Sequence, residues 1–141
     1  MITSVTVNDG VTSIGKYAFY GLERVTSATF PNSVSAIEDY VFYGCASLLS
    51  FTISENVASI GKGAFEECDC LTNILIPRNV VSIGANAFKN CDVLRVVTIL
   101  ADTPIINAST FEGCSALREI TIPNSVVIVD ENAFYGCNEL A

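Results

Sequence analysis

Apolar and polar positions recur along this chain with a period of 23 residues, without an insertion or a deletion. Units open at Ile2, Val25, Leu48, Leu71, Leu94 and Leu117, giving repeats 2–24, 25–47, 48–70, 71–93, 94–116 and 117–139. Leu140 opens a further one. The fourth position reads Val5, Ala28, Phe51, Ile74, Val97, Ile120 and the sixth Val7, Phe30, Ile53, Ile76, Ile99, Ile122. Positions three and five between them are mostly polar, which is the two-residue alternation of a strand with one buried face. Pro31, Pro77 and Pro123 follow directly and end that strand, because proline cannot donate to a ladder. A V-x-x-I segment predicts a turn or a short second strand, and Gly15, Gly61 and Gly84 after it permit a sharp bend. The A-F-x-x-C segment has apolar residues at positions seventeen, eighteen and twenty-one, a spacing that predicts one helical or 3-10 turn pressed on the core.

One such unit cannot bury its apolar face alone. Stacked units share a continuous core, with strands of successive turns parallel and about 4.8 Å apart. The eighteenth position is Phe in every repeat: Phe19, Phe42, Phe65, Phe88, Phe111 and Phe134. Cys45, Cys68, Cys91, Cys114 and Cys137 stand 23 apart at the twenty-first. One cysteine per repeat at one place predicts a buried ladder of reduced thiols, with disulfides between neighbouring turns as the alternative. Cys70 lies outside that series and reads as a lone surface thiol.

The pattern L-x-x-I-x-I-P-x-x-V-x-x-I-G-x-x-A-F-x-x-C resembles the BspA-like, or treponemal-class, leucine-rich repeat. Leu117-Arg118-Glu119-Ile120-Thr121-Ile122-Pro123 with Ala133-Phe134-Tyr135-Gly136-Cys137 follows it almost throughout, and the likeness runs from Ile2 to Leu140. The ninth position departs from the broader leucine-rich pattern: Gly10, Ser33, Asn56, Asn79, Asp102 and Ser125 stand where a constant Asn is expected. The resemblance implies a right-handed α/β leucine-rich-repeat solenoid with a parallel concave sheet, and short strands with helical or 3-10 turns on the convex side. It also implies a microbial or protist protein of the cell surface or secreted, adhering to host matrix or neighbouring-cell proteins.

Composition narrows the function without naming a ligand. The chain has no His, which removes Ser-His-Asp chemistry and His-ligated metals. No phosphate loop or nucleophile elbow is present, so the expectation is a non-enzymatic chain without cofactor or metal. A net charge of -8 with only 7 Lys plus Arg argues against nucleic acid as a partner. Mean hydropathy is +0.48, but the longest apolar stretch, near Val96 to Ala101, is far below a spanning length, so no membrane insertion is expected. The N-terminus carries neither basic region nor apolar core, so it does not read as a signal peptide, and the chain is expected to be a piece of a longer one. Exposed repeats at both ends invite end-to-end self-association.

Two surfaces are candidates for binding. The outward rows of the concave sheet carry Thr6, Thr29, Thr52, Thr98 and Thr121, with Asn73 and Glu119 beside them. Leu75, Val96 and Leu100 interrupt those rows with apolar side chains flanked by Arg95 and Arg118, an apolar group rimmed by charge. The plainer reading is that Thr suits an exposed strand and that single exposed apolar residues are common. On the opposite side, Tyr17, Tyr20, Tyr40 and Tyr43 should form one four-ring cluster, either a recognition surface or a cover for the core. Repeat five, Leu100-Ala101-Asp102-Thr103-Pro104, predicts a local change of path, and Asn107-Ala108-Ser109 matches a glycosylation acceptor. The reading is a protein-binding module whose concave sheet engages a protein ligand. A structural spacer and an intracellular scaffold are the alternatives.

Overall fold

The computed structural model describes all of residues 1–141 and contains strands and turns only. Strands β1 (Ser4–Thr6), β2 (Ser27–Thr29), β5 (Asn73–Ile76), β7 (Val96–Ile99) and β9 (Glu119–Thr121) come from the first alternating segment of the repeat and form the concave face. Strands β3 (Ala36–Ile37), β4 (Ser59–Ile60), β6 (Ser82–Ile83), β8 (Ile105–Ile106) and β10 (Ile128–Val129) come from the V-x-x-I segment and form a second, lateral ladder. Every pairing is parallel and in register with the 23-residue period, as in Ser4↔Ser27, Ile37↔Ile60 and Leu75↔Thr98. The result is a parallel-strand solenoid. Strands carry little of its hydrogen bonding: only 9 of 70 backbone–backbone bonds lie within them, and the rest belong to turns and contacts between turns.

The expected helical or 3-10 turn on the convex side does not form. Position sixteen is left-handed in every repeat, at Tyr17, Tyr40, Gly63, Asn86, Ser109 and Asn132, with φ between 55 and 62°. So is position twenty, at Gly21, Gly44, Glu67, Asn90, Gly113 and Gly136. A left-handed residue every fourth place cannot continue a right-handed helix. It rotates alternate amides out of the turn instead. The N–H groups of positions seventeen, nineteen and twenty-one close local turns, as in Ala18 to Gly15, Tyr20 to Tyr17 and Leu22 to Phe19. Those of sixteen, eighteen and twenty donate across to the next repeat, as in Tyr17 to Asp39, Phe19 to Val41 and Gly21 to Tyr43. These cross-turn bonds, three at every junction, measure 2.7–3.2 Å.

The core behind these turns is equally regular. The six position-eighteen rings form one stack with neighbouring centroids 5.3–5.8 Å apart, Phe65 and Phe88 lying within 1° of parallel. The thiols of Cys45, Cys68, Cys91, Cys114 and Cys137 donate to the carbonyls of Phe19, Phe42, Phe65, Phe88 and Phe111, at 3.1–3.3 Å. All six cysteines are unpaired. Burial pushes the Cys45 and Cys137 thiols up to about 11 and those of Cys68 and Cys91 well above the ordinary range. Gly61 and Gly84 serve proximity rather than a bend: a Cβ there would meet the backbone of the preceding turn at 2.5 Å.

The ninth position makes a mixed polar ladder in place of a pure Asn one. Asn56 and Asn79 donate to the carbonyls of Asn32 and Glu55, and the hydroxyls of Ser33 and Ser125 to those of Val11 and Thr103.

Repeat five changes the path for an identifiable reason. In the lateral ladder, the position-eleven N–H donates to its equivalent one turn back, as in Ser35 to Thr12, Ala58 to Ser35 and Val81 to Ala58. Pro104 occupies that position and has no N–H. The ladder accordingly stops between β6 and β8, leaving separate sheets β3-β4-β6 and β8-β10. Asn107 bridges the gap, its Nδ2 donating to the Ile83 carbonyl at 2.6 Å. The glycosylation-type amide is therefore engaged inside the fold. Thr103 and Thr110, which replace core Val and Ala, are buried and donate their hydroxyls to the carbonyls of Ile105 and Asn107.

Candidate functional site

The concave face is not one sheet. β1 and β2 pair, a single bridge links Ser27 to Ser50, and β5-β7-β9 form a separate sheet. The break has a backbone signature. At position two the N–H donates one turn back in Thr26 to Thr3, Leu49 to Thr26, Arg95 to Thr72 and Arg118 to Arg95, but Thr72 makes no such bond to Leu49. Ile53, the equivalent of Val7, likewise finds no backbone acceptor. Phe51 stands at the junction. Its buried ring fills the fourth position, beside the small Ala28, and lies 4.9–5.5 Å from the Phe30, Phe42 and Phe65 centroids. No other repeat places an aromatic ring there.

This opening forms a groove of about 400 Å³, lined by Ser50, Thr52, Asn73, Leu75, Val96 and Thr98 over Phe51, Ile53 and Ile74. Register places Asn73, Val96 and Glu119 side by side, and Leu75, Thr98 and Thr121 in the adjacent row. Leu75 is 46% exposed at the groove edge. The other concave candidates lie elsewhere. Thr6 and Thr29 pair on the β1-β2 sheet. Leu100 lies past the end of β7, 41% exposed, and does not line the groove. Arg95 and Arg118 border a separate shallow depression with Ser115, Ala116, Asn138 and Glu139. Leu75 and Val96 thus share a site, while Leu100 and the two arginines do not join it. The sequence reading missed the groove, whose one signal was an aromatic in an aliphatic column.

On the convex side the four tyrosines assemble. Tyr17 stacks on Tyr40 at 5.1 Å and Tyr20 on Tyr43 at 4.9 Å, while Tyr17–Tyr20 and Tyr40–Tyr43 meet edge to face. Tyr17 and Tyr40 occupy the left-handed slot, at φ 62° and 58°, where a bulky residue costs about 1–2 kcal/mol. Gly63 continues the column and leaves room for the Tyr40 ring, which a Cβ there would strike. Burial pushes the Tyr40 hydroxyl up, and Tyr17, Glu66 and Asp39 add to it. Burial also raises Tyr43, helped by the charge of Glu67 and a hydrogen bond to it. Lys16 pairs with Asp39 at 3.2 Å beside the column. Burial alone would raise the Asp39 carboxyl, but the Lys62 N–H and Lys16 hold it below the usual range. No three side chains of His, Cys, Asp or Glu type converge to hold a metal ion, and no helix is long and apolar enough to cross a membrane.

This architecture defines a leucine-rich-repeat protein, and the comparisons with known proteins agree. The family model for the BspA type leucine rich repeat region matches six copies, over residues 1–117 and 93–141, and the chain belongs to that family. Among solved structures it is similar to a leucine-rich repeat protein from Bacteroides ovatus, with 32% identity and a TM-score of 0.94 over 99% of this chain and 36% of that one. The leucine rich repeat protein of T. pallidum superposes with a TM-score of 0.95 at 28% identity, over 99% of this chain and 65% of that one. A leucine rich cell surface protein from Faecalibacterium prausnitzii gives 25% identity and a TM-score of 0.65, over 99% and 52%. The chain thus spans roughly a third to two thirds of the length of these relatives. No curated protein matches it.

Proposed function

We propose that this chain is a non-enzymatic, protein-binding segment of a cell-surface or secreted protein, and that it engages its partner through the concave face. One observation carries the reading: the ladder opens between repeats three and four into a groove lined by Leu75 and Val96 in an otherwise hydroxyl-rich face, and the exposed Leu75 edge offers a contact that water does not satisfy. Thr52, Asn73 and Thr98 give that edge a polar rim. The cell-surface description of the Faecalibacterium relative supports the location. Host matrix proteins are the partners to assay first. Leu75→Ser with Val96→Thr should abolish saturable capture of such a protein at unchanged thermal stability, while Leu100→Ser, outside the groove, leaves it intact. Unchanged capture by the double variant rejects the groove as the site. If no matrix protein binds saturably and light scattering shows concentration-dependent growth of particles, the chain is instead a self-associating spacer.

A further inference from the structure

The tyrosine array is more than a cover for the convex side. Repeats four to six close the same surface with Asn86, Ser109 and Asn132 in the left-handed slot, and their position-eighteen rings stack just as well. Repeats one and two instead force Tyr17 and Tyr40 into that conformation, and repeat three keeps Gly63 under the Tyr40 ring. The outer rings stay open to solvent, Tyr17 at 54% and Tyr20 at 51% exposure.

Beside the array lies a cleft of about 290 Å³, lined by Tyr20 and Tyr43 together with the carboxylates of Glu23, Glu67 and Asp69, of which Glu67 hydrogen-bonds Tyr43. No Lys or Arg lines it. The ion pairs of this protein are Lys16–Asp39 and Lys89–Glu112, so none of these three carboxylates has a cationic partner. We propose that the stacked tyrosines and this carboxylate-rimmed cleft form a second binding surface, which takes an arginine-bearing segment of a partner protein. A guanidinium is planar, so it lies against an aromatic ring while its N–H fork reaches carboxylates at the rim. A lysine ammonium meets the charge but not the flat rings. Burial raises the Asp69 carboxyl, and the neighbouring Asp92 and Glu67 raise it further. This surface is independent of the concave groove, and either can fail without the other.

The test uses the full chain and dye-labelled oligoarginine, oligolysine and oligoglutamate peptides at about 150 mM salt, where only close charge contacts survive screening. Fluorescence anisotropy should show saturable binding of oligoarginine, weaker binding of oligolysine and none of oligoglutamate. The chain has no Trp, and four of its 5 Tyr belong to the array, so its own tyrosine emission should change along the same curve. Tyr20→Ala with Tyr43→Ala should weaken oligoarginine about tenfold. The matching Phe pair, which keeps the rings and the fold, should retain most of the affinity. Glu67→Gln with Asp69→Asn should weaken binding comparably, whereas the remote pair Glu131→Gln with Glu139→Gln should not. The proposal is overturned if the remote pair costs as much as the cleft pair, if oligolysine binds as well as oligoarginine, or if the emission stays constant through saturation.

Discussion

The two faces of this solenoid keep the same 23-residue register and differ in how they tolerate change. On the convex side, three cross-turn hydrogen bonds span every junction, the position-eighteen rings stack from end to end, and a thiol reaches back one turn at each step from Cys45 to Cys137. The concave ladder is open between repeats three and four, and the lateral ladder between repeats four and five. Yet the turns stay in register across both openings. Continuity therefore resides in the turns and the aromatic stack, and the sheets are free to carry departures such as Phe51, Leu75 and Pro104. The concave and lateral ladders can lose bonds without losing the fold, and there the side chains are freer to vary.

Phe65→Ala removes the ring between Phe42 and Phe88 from a fully buried site, and should cost about 3–5 kcal/mol in urea unfolding. Comparable stability of that variant would mean the stack is not what binds the turns together. Cys91→Ala, which deletes a buried sulfur and its bond to the Phe65 carbonyl, should cost about 1–2 kcal/mol by the same measurement. The concave break should be visible in amide exchange. Thr72 and Ile53, which lack backbone acceptors, should exchange at least about tenfold faster than Arg95 and Val7, which have them. Equal protection would mean that the concave ladder is continuous between repeats three and four.

Alkaline pH tests the buried thiols. Their folded values lie above the ordinary 9.0, so the unfolded chain loses these protons first. Stability is then retained below about 9 and falls as pH rises toward about 11, the value reached by Cys45 and Cys137. Alkylation in the folded state should reach Cys70 well before the ladder cysteines. The smallest effect belongs to the concave surface: Leu75→Thr, which restores the row residue of its neighbours, should change stability by no more than about 0.5 kcal/mol while removing the apolar edge of the groove.

Much of this was legible in the residues, though not evenly. Strand alternation at positions four and six, the inward Phe and Cys columns and the four-tyrosine cluster all follow from period alone, because each unit repeats the same environment. The convex turns were misread as helical because the apolar spacing of A-F-x-x-C fits a helix, while the deciding signal lies in the residues between. Gly and Asn recur at positions sixteen and twenty, the usual tenants of left-handed backbone. Tyr17, Tyr40 and Glu67 obscured that signal. Repeat five was recognisably irregular, and Pro104 explains it directly. That Asn107 would mend the ladder with its side chain depends on a distance no pattern contains.

The register, the inward columns and the family are written in the residues, since a period of 23 carried through every repeat admits one way of stacking. Where that stack opens is settled by packing between turns. Whether a ladder bond survives depends on the fit of Phe51 beside Ala28 and Phe42. Whether a groove opens between the Ser50–Ile53 segment and the β5-β7 sheet that carries Leu75 and Val96 depends on the bond that Thr72 fails to make. These are short-range packing distances between different turns, and a one-dimensional pattern fixes which residues are neighbours without fixing how closely they approach.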